Sequence, residues 1–396
     1  MDGGRVVKDN LKSKFVEYFD ENIEHLAMYF SPGRVNLIGE HIDYNGGLVM
    51  PCAINLGTYA LIRPRLDCEV HMISLNFEVQ GIYQFSLGNI EYDIAMDWCN
   101  YPMGIFNEIQ RMGNVLDHGF DILFYGDLPN GAGLSSSASI EVLTATMIND
   151  HYALGLSRKD LALLSQRSEN QFNGVNCGIM DQFSIAMCVK DHAILLDCNT
   201  LEYEHVPLEL GDYLLMIVNT NKKRGLVDSA YNARRIACDL GLKALNEVRP
   251  LSGICELSPK EWLSMTELMP SEEVYKRTHH AVMEQYRTQK ASEALKSGDL
   301  MAFGEWMYRS HDSLRYHFEV SCDELDIIVD AGRPLSGVLG ARMTGAGFGG
   351  CVVALVHKAH VEDYENHIRR VYIDQTGLVP SFYKAVISSG AGVWHE

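Results

Sequence analysis

A glycine- and serine-rich turn that leads into an apolar helix is the strongest chemical signal in the sequence. It reads Pro129-Asn-Gly-Ala-Gly-Leu-Ser-Ser-Ser-Ala-Ser-Ile-Glu141. The first backbone amides of a helix lack intrahelical partners and the helix dipole adds positive potential, while Gly131 and Gly133 permit close approach. The pattern favours an anion such as a triphosphate. The alternative is that Ser135 to Ser137 only cap the helix.

The motifs that the chain lacks narrow the kind of phosphate site. No Gly-Lys-[Ser/Thr] sequence supplies the lysine of a P-loop. The His-Arg-Asp and Asp-Phe-Gly motifs that mark protein kinases are also missing from the sequence. A kinase built on this turn therefore belongs to another class.

Polar side chains suited to hydroxyl groups cluster in a second segment, residues 33–47. This segment contains Arg34, Glu40, His41 and Asp43 around a glycine. Carboxylates accept hydrogen bonds from hydroxyls, histidine donates or accepts, and arginine steadies a neighbouring anion. The segment favours a polyol site, and a solvated polar turn between strands is the alternative.

Two further carboxylates lie between these glycine-rich segments and the second half of the chain. Asp181 follows Gly178-Ile-Met, and Glu169 precedes Asp181 by 12 residues near the end of a predicted helix. The turn between them allows both carboxylates to face one pocket. A lone aspartate in a turn usually binds backbone amides, so Asp181 acquires a catalytic interpretation only from the neighbouring segments.

A second glycine cluster at residues 345–350 formally matches G-x-G-x-x-G at Gly345, Gly347 and Gly350. A dinucleotide fingerprint opens a helix, whereas the β-like run 351–356 follows here, so a nicotinamide enzyme is the weakest interpretation. The cluster predicts a glycine loop packed closely against backbone or ligand.

The elements that must position these segments mix strands and helices without regular βαβ alternation, which predicts an α+β fold. The first ~30 residues are predicted as a helix that ends at Ser31-Pro-Gly33, since apolar residues recur at helical spacing. We expect two units, residues 1–208 and 209–396, with the last strand returning to the first unit. The other predicted helices cover 138–151, 157–172, 230–248, 271–296 and 301–308. The clearest predicted strands are 58–62, 120–125, 213–218, 351–356 and 382–388.

Composition excludes several classes of protein. The 33 basic and 52 acidic residues give a net charge of -19, which repels nucleic acid. No apolar run approaches the roughly 18 residues of a membrane span. Residues 1–10 carry acids and lack the apolar core of a secretory signal, so we expect a cytoplasmic protein. The ten cysteines show no C-x-x-C pair, and most of them are expected to be small buried thiols.

Taken together, these segments resemble the galactokinases, within the GHMP kinase superfamily of sugar, homoserine and mevalonate kinases. Residues 33–46 are similar to the galactokinase signature, 129–138 to the superfamily phosphate loop, and 343–350 to its C-terminal glycine motif. Residues 178–182, and two segments within 219–235, extend the resemblance in the same order over nearly the whole chain.

The resemblance implies a two-lobed GHMP kinase fold with the active site in the cleft between the lobes. It implies transfer of the γ-phosphate of ATP, with Mg²⁺, to the anomeric C1 hydroxyl of D-galactose. By resemblance Asp181 is the catalytic aspartate, as proton acceptor or only orienting the hydroxyl, and Arg34 keeps it ionised. The implied sugar contacts are Glu40, His41, Asp43, Gly178 and Tyr231. The implied magnesium-associated pair is Ser137 and Glu169. The implied ATP-binding residues are Gly131, Ala132, Gly133, Leu134, Ser135, Ser136, Ser137, Lys223, Gly345 and Gly347.

Two other functions stay open at this point. One is a related sugar-1-kinase for N-acetylgalactosamine or arabinose, and Tyr316 and His317, where the family often has acidic residues, bear on that choice. The other is a sensor that binds sugar and ATP without turnover, against which the serine run and Asp181 argue. Galactose and ATP are the only partners that the resemblance implies, and we expect a monomer.

Overall fold

The computed structural model describes residues 2–129, 132–222 and 227–394. Within these ranges strands and helices are mixed, which confirms the predicted α+β class. The helices are α1 (Asp2–Tyr18), α2 (Asn100–Arg111), α3 (Ser136–His151), α4 (Arg158–Arg167), α5 (Met180–Met187), α6 (Val227–Asn246), α7 (Pro259–Leu263), α8 (Glu272–Lys296), α9 (Leu300–Ser313), α10 (Asp323–Gly332) and α11 (Val361–Thr376). The strands are β1 (Ala27–Asn36), β2 (Leu48–Val49), β3 (Pro51–Pro64), β4 (Glu69–Ser74), β5 (Tyr83–Ser86), β6 (Phe120–Gly126), β7 (His192–Asp197), β8 (Tyr203–Pro207), β9 (Tyr213–Asn219), β10 (Val338–Thr344), β11 (Cys351–His357), β12 (Ser381–Ala385) and β13 (Gly392–Val393).

The largest sheet of the described residues has six strands in the order β13-β1-β3-β6-β4-β5. Its pairs are antiparallel except for β4 with β6. Successive residues of β1 face opposite sides, because side chains alternate along a strand. Phe30 packs with Phe15 of α1 on one face, and Tyr29 packs with the core under α2 and α3 on the other. Both faces of this sheet are therefore covered.

A second sheet has the order β10-β11-β9-β12 and is antiparallel throughout. Residues 351–356 of β11 are completely buried, since alternate side chains enter two different cores. A strand covered on both faces has a continuous apolar sequence, and this explains why the run was recognisable. The third sheet has the order β2-β7-β8.

The predicted first helix is wrong in its second half. Helix α1 ends at Tyr18, and Ile23 is 53% exposed. The stretch Ser31-Pro-Gly33 lies inside β1, where the pairing with β3 shifts register between Pro32 and Arg34. Proline cannot donate to a ladder and is accepted at such an irregularity. The apolar residues Phe19, Ile23 and Leu26 therefore lie in the connection between α1 and β1, which helical spacing alone did not distinguish from a helix.

The predicted helix 157–172 divides into two parts. Its predicted start is correct, because Ser157 caps α4 in a capping box with Asp160. After Arg167 the chain widens into a single π-helical turn, Ser168–Phe172, which carries Glu169. Such turns occur often at functional sites.

The end of the chain crosses between the two larger sheets. Strand β12, which covers the first part of the predicted strand 382–388, pairs with β9 of the second sheet. Ile387 then bridges to Ile54 of β3, and β13 pairs with β1. The boundary between residues 208 and 209 stays a prediction. In the described parts of the chain, none of the helices combines the length and the apolar character that crossing a bilayer requires.

Candidate active site

An ion pair between Arg34 and Asp181 lies at the centre of the site. Arg34 Nε donates to Asp181 Oδ1 at 2.9 Å and Nη2 donates to Oδ2 at 3.0 Å. The guanidinium fork matches a carboxylate in this two-point geometry, which fixes orientation as well as charge. Arg34 is buried on β1 and Asp181 lies in the first turn of α5, so the fold joins residues that are 147 positions apart.

The glycine-serine turn is tied to this ion pair. Arg34 Nη1 donates to the carbonyl of Gly133 at 2.8 Å, and Ser135 Oγ donates to Asp181 Oδ2 at 2.5 Å. Ser135 has a φ of 64°, a left-handed conformation that is uncommon for serine and is often found at functional sites. Helix α3 begins at the next residue, so the amides of its first turn border the same space.

Two adjoining cavities meet at the ion pair. The larger, about 330 Å³, is lined by all five predicted sugar contacts. The smaller, about 250 Å³, is lined by Pro129 and by residues 133–137 of the glycine-serine turn. Arg34, Asp181 and Ala346 line both cavities. The arrangement therefore holds a polar, polyol-sized space and an amide-rich, anion-sized space on either side of one carboxylate.

Glu40 is held by an arginine that the sequence analysis missed. Arg342 Nη2 donates to Glu40 Oε2 at 3.0 Å, and Nη1 donates to the carbonyl of Asn36 at 2.7 Å. Burial raises the pKa of Glu40, and the guanidinium groups of Arg342 and Arg34 oppose that rise. Arg342 is fully buried in β10 between Ala341 and Met343. The sequence signal that could have identified Arg342 is its position as a charged residue inside an otherwise apolar strand.

His41 lines the larger cavity and is uncharged. Burial lowers the pKa of His41 to about 3, so the ring is neutral at physiological pH. Its Nε2 lies 3.2 Å from the carbonyl of Ala346, and its Nδ1 lies 3.0 Å from the hydroxyl of Tyr44. Because a carbonyl can only accept, we assign the proton to Nε2 and the acceptor role to Nδ1. Phe318 and Tyr231 pack against the ring at 4.9 and 5.6 Å between centroids.

Asp43 and Gly178 form a close contact in the same wall. A Cβ at Gly178 would lie only 1.9 Å from Asp43 Oδ2, so only glycine leaves room for this carboxyl. Burial raises the pKa of Asp43 to about 7, with further increases from the nearby charges of Asp181 and Glu40. Asp43 therefore changes its charge near neutral pH.

The residues implied for magnesium also lie together. Glu169 is buried in its π-helical turn, where Gln182 Nε2 donates to its Oε2. Burial raises the pKa of Glu169, and Ser137 opposes that rise. Glu141, one turn after Ser137, is fully buried, and burial raises its pKa well above the usual range. Across the described residues, no group of three or more His, Cys, Asp or Glu side chains could hold a metal alone.

The second glycine cluster packs against the phosphate-turn candidate and does not open a helix. A Cβ at Gly345 would lie 2.7 Å from the carbonyl of Gly133, and one at Gly347 would lie 2.2 Å from the carbonyl of Val320. Both glycines have φ above 80°, and β11 follows them. The structure thus agrees with a closely packed glycine loop.

A third cavity, about 220 Å³, was not foreseen from the sequence. It is lined mainly by apolar and aromatic side chains, among them Phe77, Trp98 and Tyr101, and it reaches Ser136 and Ser137 at the start of α3. The indole nitrogen of Trp98 is buried there, with no hydrogen-bond partner among the described residues. The aromatic residues of the stretch 92–101 were the only sequence signal.

Several residues that the sequence analysis singled out lie outside the described residues or do not line the two cavities. Gly131 and Lys223 lie outside the described residues, so the structure places neither of them. Tyr316 is 59% exposed, and neither it nor His317 lines the cavities at the ion pair. Both belong to a π-helical turn that ends beside His41 at Phe318.

Comparison with protein-family models gives three matches along the chain. Residues 13–64 match the galactokinase galactose-binding signature. Residues 100–188 match the GHMP kinases N terminal domain, and residues 291–374 match the GHMP kinases C terminal model. Together these models cover the glycine-serine turn and every described carboxylate of the site.

Individual proteins show the same relationship over full lengths. A galactokinase of Clostridium beijerinckii is 48% identical over 380 residues, which are 96% of this chain and 97% of that protein. A galactokinase of Fusobacterium nucleatum is 48% identical over 386 residues, 97% and 99% of the two chains. The structure of Lactococcus lactis galactokinase complexed with galactose superposes with a TM-score of 0.96 at 42% identity, covering 98% of this chain and 100% of that one. A mevalonate kinase structure, at 20% identity and a TM-score of 0.64, shares the fold.

Proposed function

This chain belongs to the galactokinases, within the GHMP kinase superfamily, and from that premise we propose roles for its two joined cavities. It is an ATP-dependent sugar kinase that transfers the γ-phosphate of ATP to the C1 hydroxyl of D-galactose, giving galactose 1-phosphate and ADP. The larger cavity takes the sugar and the smaller takes the phosphates. The observation that carries this assignment is the Arg34–Asp181 ion pair, which lies where the two cavities meet.

In the sugar cavity, polar groups supply the acceptors that hydroxyls require. Glu40 and Asp43 accept hydrogen bonds from sugar hydroxyls, with Glu40 held in place by Arg342. Gly178 gives Asp43 its space, and His41 and Tyr231 form an aromatic wall against the ring.

At the junction, Asp181 accepts a hydrogen bond from the C1 hydroxyl and aligns its oxygen with the γ-phosphorus. The new bond joins that oxygen to the γ-phosphorus while the bond from the γ-phosphorus to the bridging oxygen of ADP breaks. Such transfers pass through a loose transition state, so alignment and charge neutralisation matter most. Arg34 neutralises Asp181 and faces the phosphoryl group. The hydroxyl proton goes to Asp181 late in the transfer or, if Asp181 only orients the hydroxyl, to a phosphate oxygen.

On the phosphate side, the backbone amides of the glycine-serine turn and the first turn of α3 bind the triphosphate. The residues proposed to bind ATP are 131–137, Lys223, Gly345 and Gly347. Ser137 and Glu169 provide hard oxygen ligands, which suit Mg²⁺ when phosphate oxygens and water complete its coordination. A magnesium ion bound there neutralises phosphate charge. Its support in this structure is that Ser137 lies close enough to the buried carboxyl of Glu169 to lower the pKa of that carboxyl.

The aromatic cavity beside Ser136 and Ser137 takes the adenine base. Stacking of a base on an aromatic side chain contributes about 1 to 3 kcal/mol. Trp98→Ala is therefore expected to raise KM for ATP about 10-fold or more and to leave KM for galactose unchanged. Steady-state kinetics with each substrate varied in turn checks this expectation. An unchanged KM for ATP would place the base elsewhere.

A panel of sugars tests the reaction itself. With galactose we expect ADP release in equal amount to galactose 1-phosphate, abolished by EDTA and restored by Mg²⁺. A clear preference for N-acetylgalactosamine or arabinose would overturn the choice of substrate. Binding of galactose and ATP by calorimetry without ADP release would instead identify a sensor. The cytoplasmic location, the monomeric state and the absence of nucleic-acid partners stay predictions from composition.

A further inference from the structure

One face of helix α8 holds the backbone of the sugar-binding segment. His280, Glu284 and Gln285 all reach the chain between Gly39 and Leu48, which leads into and out of the turn with Glu40 and His41. His280 and Glu284 are four residues apart, so they lie on the same side of the helix. Gln285 is the next residue after Glu284 and borders that side. This helix belongs to the predicted second unit, whereas the segment belongs to the first.

Glu284 is the central residue of this contact. Its Oε1 accepts a hydrogen bond from the backbone amide of Gly39 at 3.1 Å and another from Ser310 Oγ at 2.5 Å. Its Oε2 accepts from Arg287 Nε at 2.6 Å. The carboxyl is completely buried. Burial opposes its ionisation, but Arg287, His280 and Arg342 outweigh burial and lower the pKa of Glu284 to about 2. Both carboxylate oxygens are thus in use by different partners.

Only glycine can adopt the backbone conformation with which residue 39 donates this hydrogen bond. Its φ is 94°, and a Cβ would lie 2.5 Å from the carbonyl of Leu48 and 3.2 Å from Thr288 Oγ1. The next residue is Glu40, whose carbonyl lies 3.1 Å from His280 Nε2. Glu40 is therefore fixed through the preceding amide by Glu284, through its own carbonyl by His280, and through its carboxylate by Arg342.

Gln285 holds the other arm of the turn. Its Oε1 accepts a hydrogen bond from the backbone amide of Leu48 at 2.7 Å. We infer that the face of α8 formed by His280, Glu284 and Gln285 positions Glu40 and His41 for the sugar, with Glu284 as its main positioning residue. This inference rests on the proposed sugar cavity and adds residues that do not line it.

Glu284→Gln tests the inference sharply, because glutamine has a single side-chain oxygen, whereas both oxygens of Glu284 accept hydrogen bonds. The amide oxygen can take the position of Oε1, facing Gly39 and Ser310, or that of Oε2, facing Arg287, but not both. We expect KM for galactose to rise about 10-fold, the loss that follows from an unsatisfied buried amide. We expect kcat to stay within about threefold and KM for ATP to stay unchanged, since the reacting groups are not displaced. A rise in KM for ATP equal to that for galactose would overturn the inference.

A second substitution provides a rescue. In Glu284→Gln with Arg287→Met, the amide oxygen is free to accept from Gly39, so galactose affinity should recover by severalfold relative to Glu284→Gln alone. A merely structural role predicts no such recovery. The matched control is Asp121→Asn, which disrupts another buried ion pair, with Arg63 and Arg65, far from the site. It should lower thermal stability and leave KM for galactose unchanged.

The outcomes separate this inference from the proposed function. If the wild-type chain fails to phosphorylate galactose, the proposed function is wrong. If the wild-type chain is active and Glu284→Gln is folded with KM for galactose within twofold of wild type, the inference is wrong. Should Glu284→Gln not fold, Gln285→Ala removes an uncharged contact on the same face, and we expect a KM for galactose about threefold higher. An unchanged value in that variant would equally overturn the inference.

Discussion

Replacing Asp181 by asparagine is expected to lower kcat by about 10²- to 10⁴-fold, the range that positioned acid–base groups contribute, with little change in KM for galactose. Asparagine keeps the size of the side chain and an oxygen for the C1 hydroxyl. It removes the negative charge that faces Arg34 and the capacity to accept a proton. Initial-rate measurements at saturating ATP, with galactose varied, separate the two parameters.

The size of the loss also distinguishes the two roles of Asp181. If Asp181 only orients the hydroxyl, asparagine should retain much of the rate and alanine should not, because alanine cannot accept the hydrogen bond. Ser135→Ala serves as the control, since it removes the 2.5 Å hydrogen bond to Asp181 but keeps both charges. It should lower kcat much less than Asp181→Asn. Near-normal turnover in both Asp181 variants would remove Asp181 from the mechanism.

Gly178→Ala is expected to raise the Kd for galactose about 10- to 100-fold, the effect of forcing a methyl group into a filled site. The added Cβ would overlap Asp43 Oδ2, and the carboxyl must then leave its position in the sugar cavity. The φ of Gly178 does not lie in the left-handed region, so alanine strains no backbone there. Isothermal calorimetry with galactose, in the absence of nucleotide, measures the effect directly.

Gly174→Ala is the matched control for this substitution. Gly174 lines the same cavity, but a Cβ there meets nothing within 4 Å. Its φ is 73°, so alanine should destabilise the fold by about 1 kcal/mol without moving Asp43. Galactose affinity equal in the two variants would show that backbone strain, and not the carboxyl contact, is responsible.

The pH dependence of binding gives a further readout of Asp43. Its pKa of about 7 means that the carboxyl is mostly protonated at pH 6 and ionised at pH 8. An ionised carboxylate accepts stronger hydrogen bonds, so wild-type affinity for galactose should increase from pH 6 to pH 8. In Gly178→Ala the displaced carboxyl reaches solvent and recovers an ordinary pKa. The affinity of that variant should therefore be flat over this range.

Short-range signals predicted much of the fold. The capping box of Ser157 and Asp160 depends on residues three apart, and the buried run of β11 depends on six consecutive side chains. The first helix was overextended because Phe19, Ile23 and Leu26 continue the helical spacing, although the helix ends at Tyr18 and the strand β1, which pairs with distant residues of β3, begins at Ala27. The aromatic cavity around Trp98 was missed for a related reason, since its walls come from five separate parts of the chain.

By itself, the sequence determined the chemical parts of this protein. A glycine-serine turn before a helix offers amides to an anion wherever it is placed, because helix termini are local features. The tertiary structure alone decided how those parts act together. It brought Asp181 to Arg34, placed Arg342 and Glu284 behind Glu40, and buried Asp43 until its pKa reached about 7. Contact across hundreds of residues and exclusion of water depend on which surfaces pack, and no local pattern contains that information.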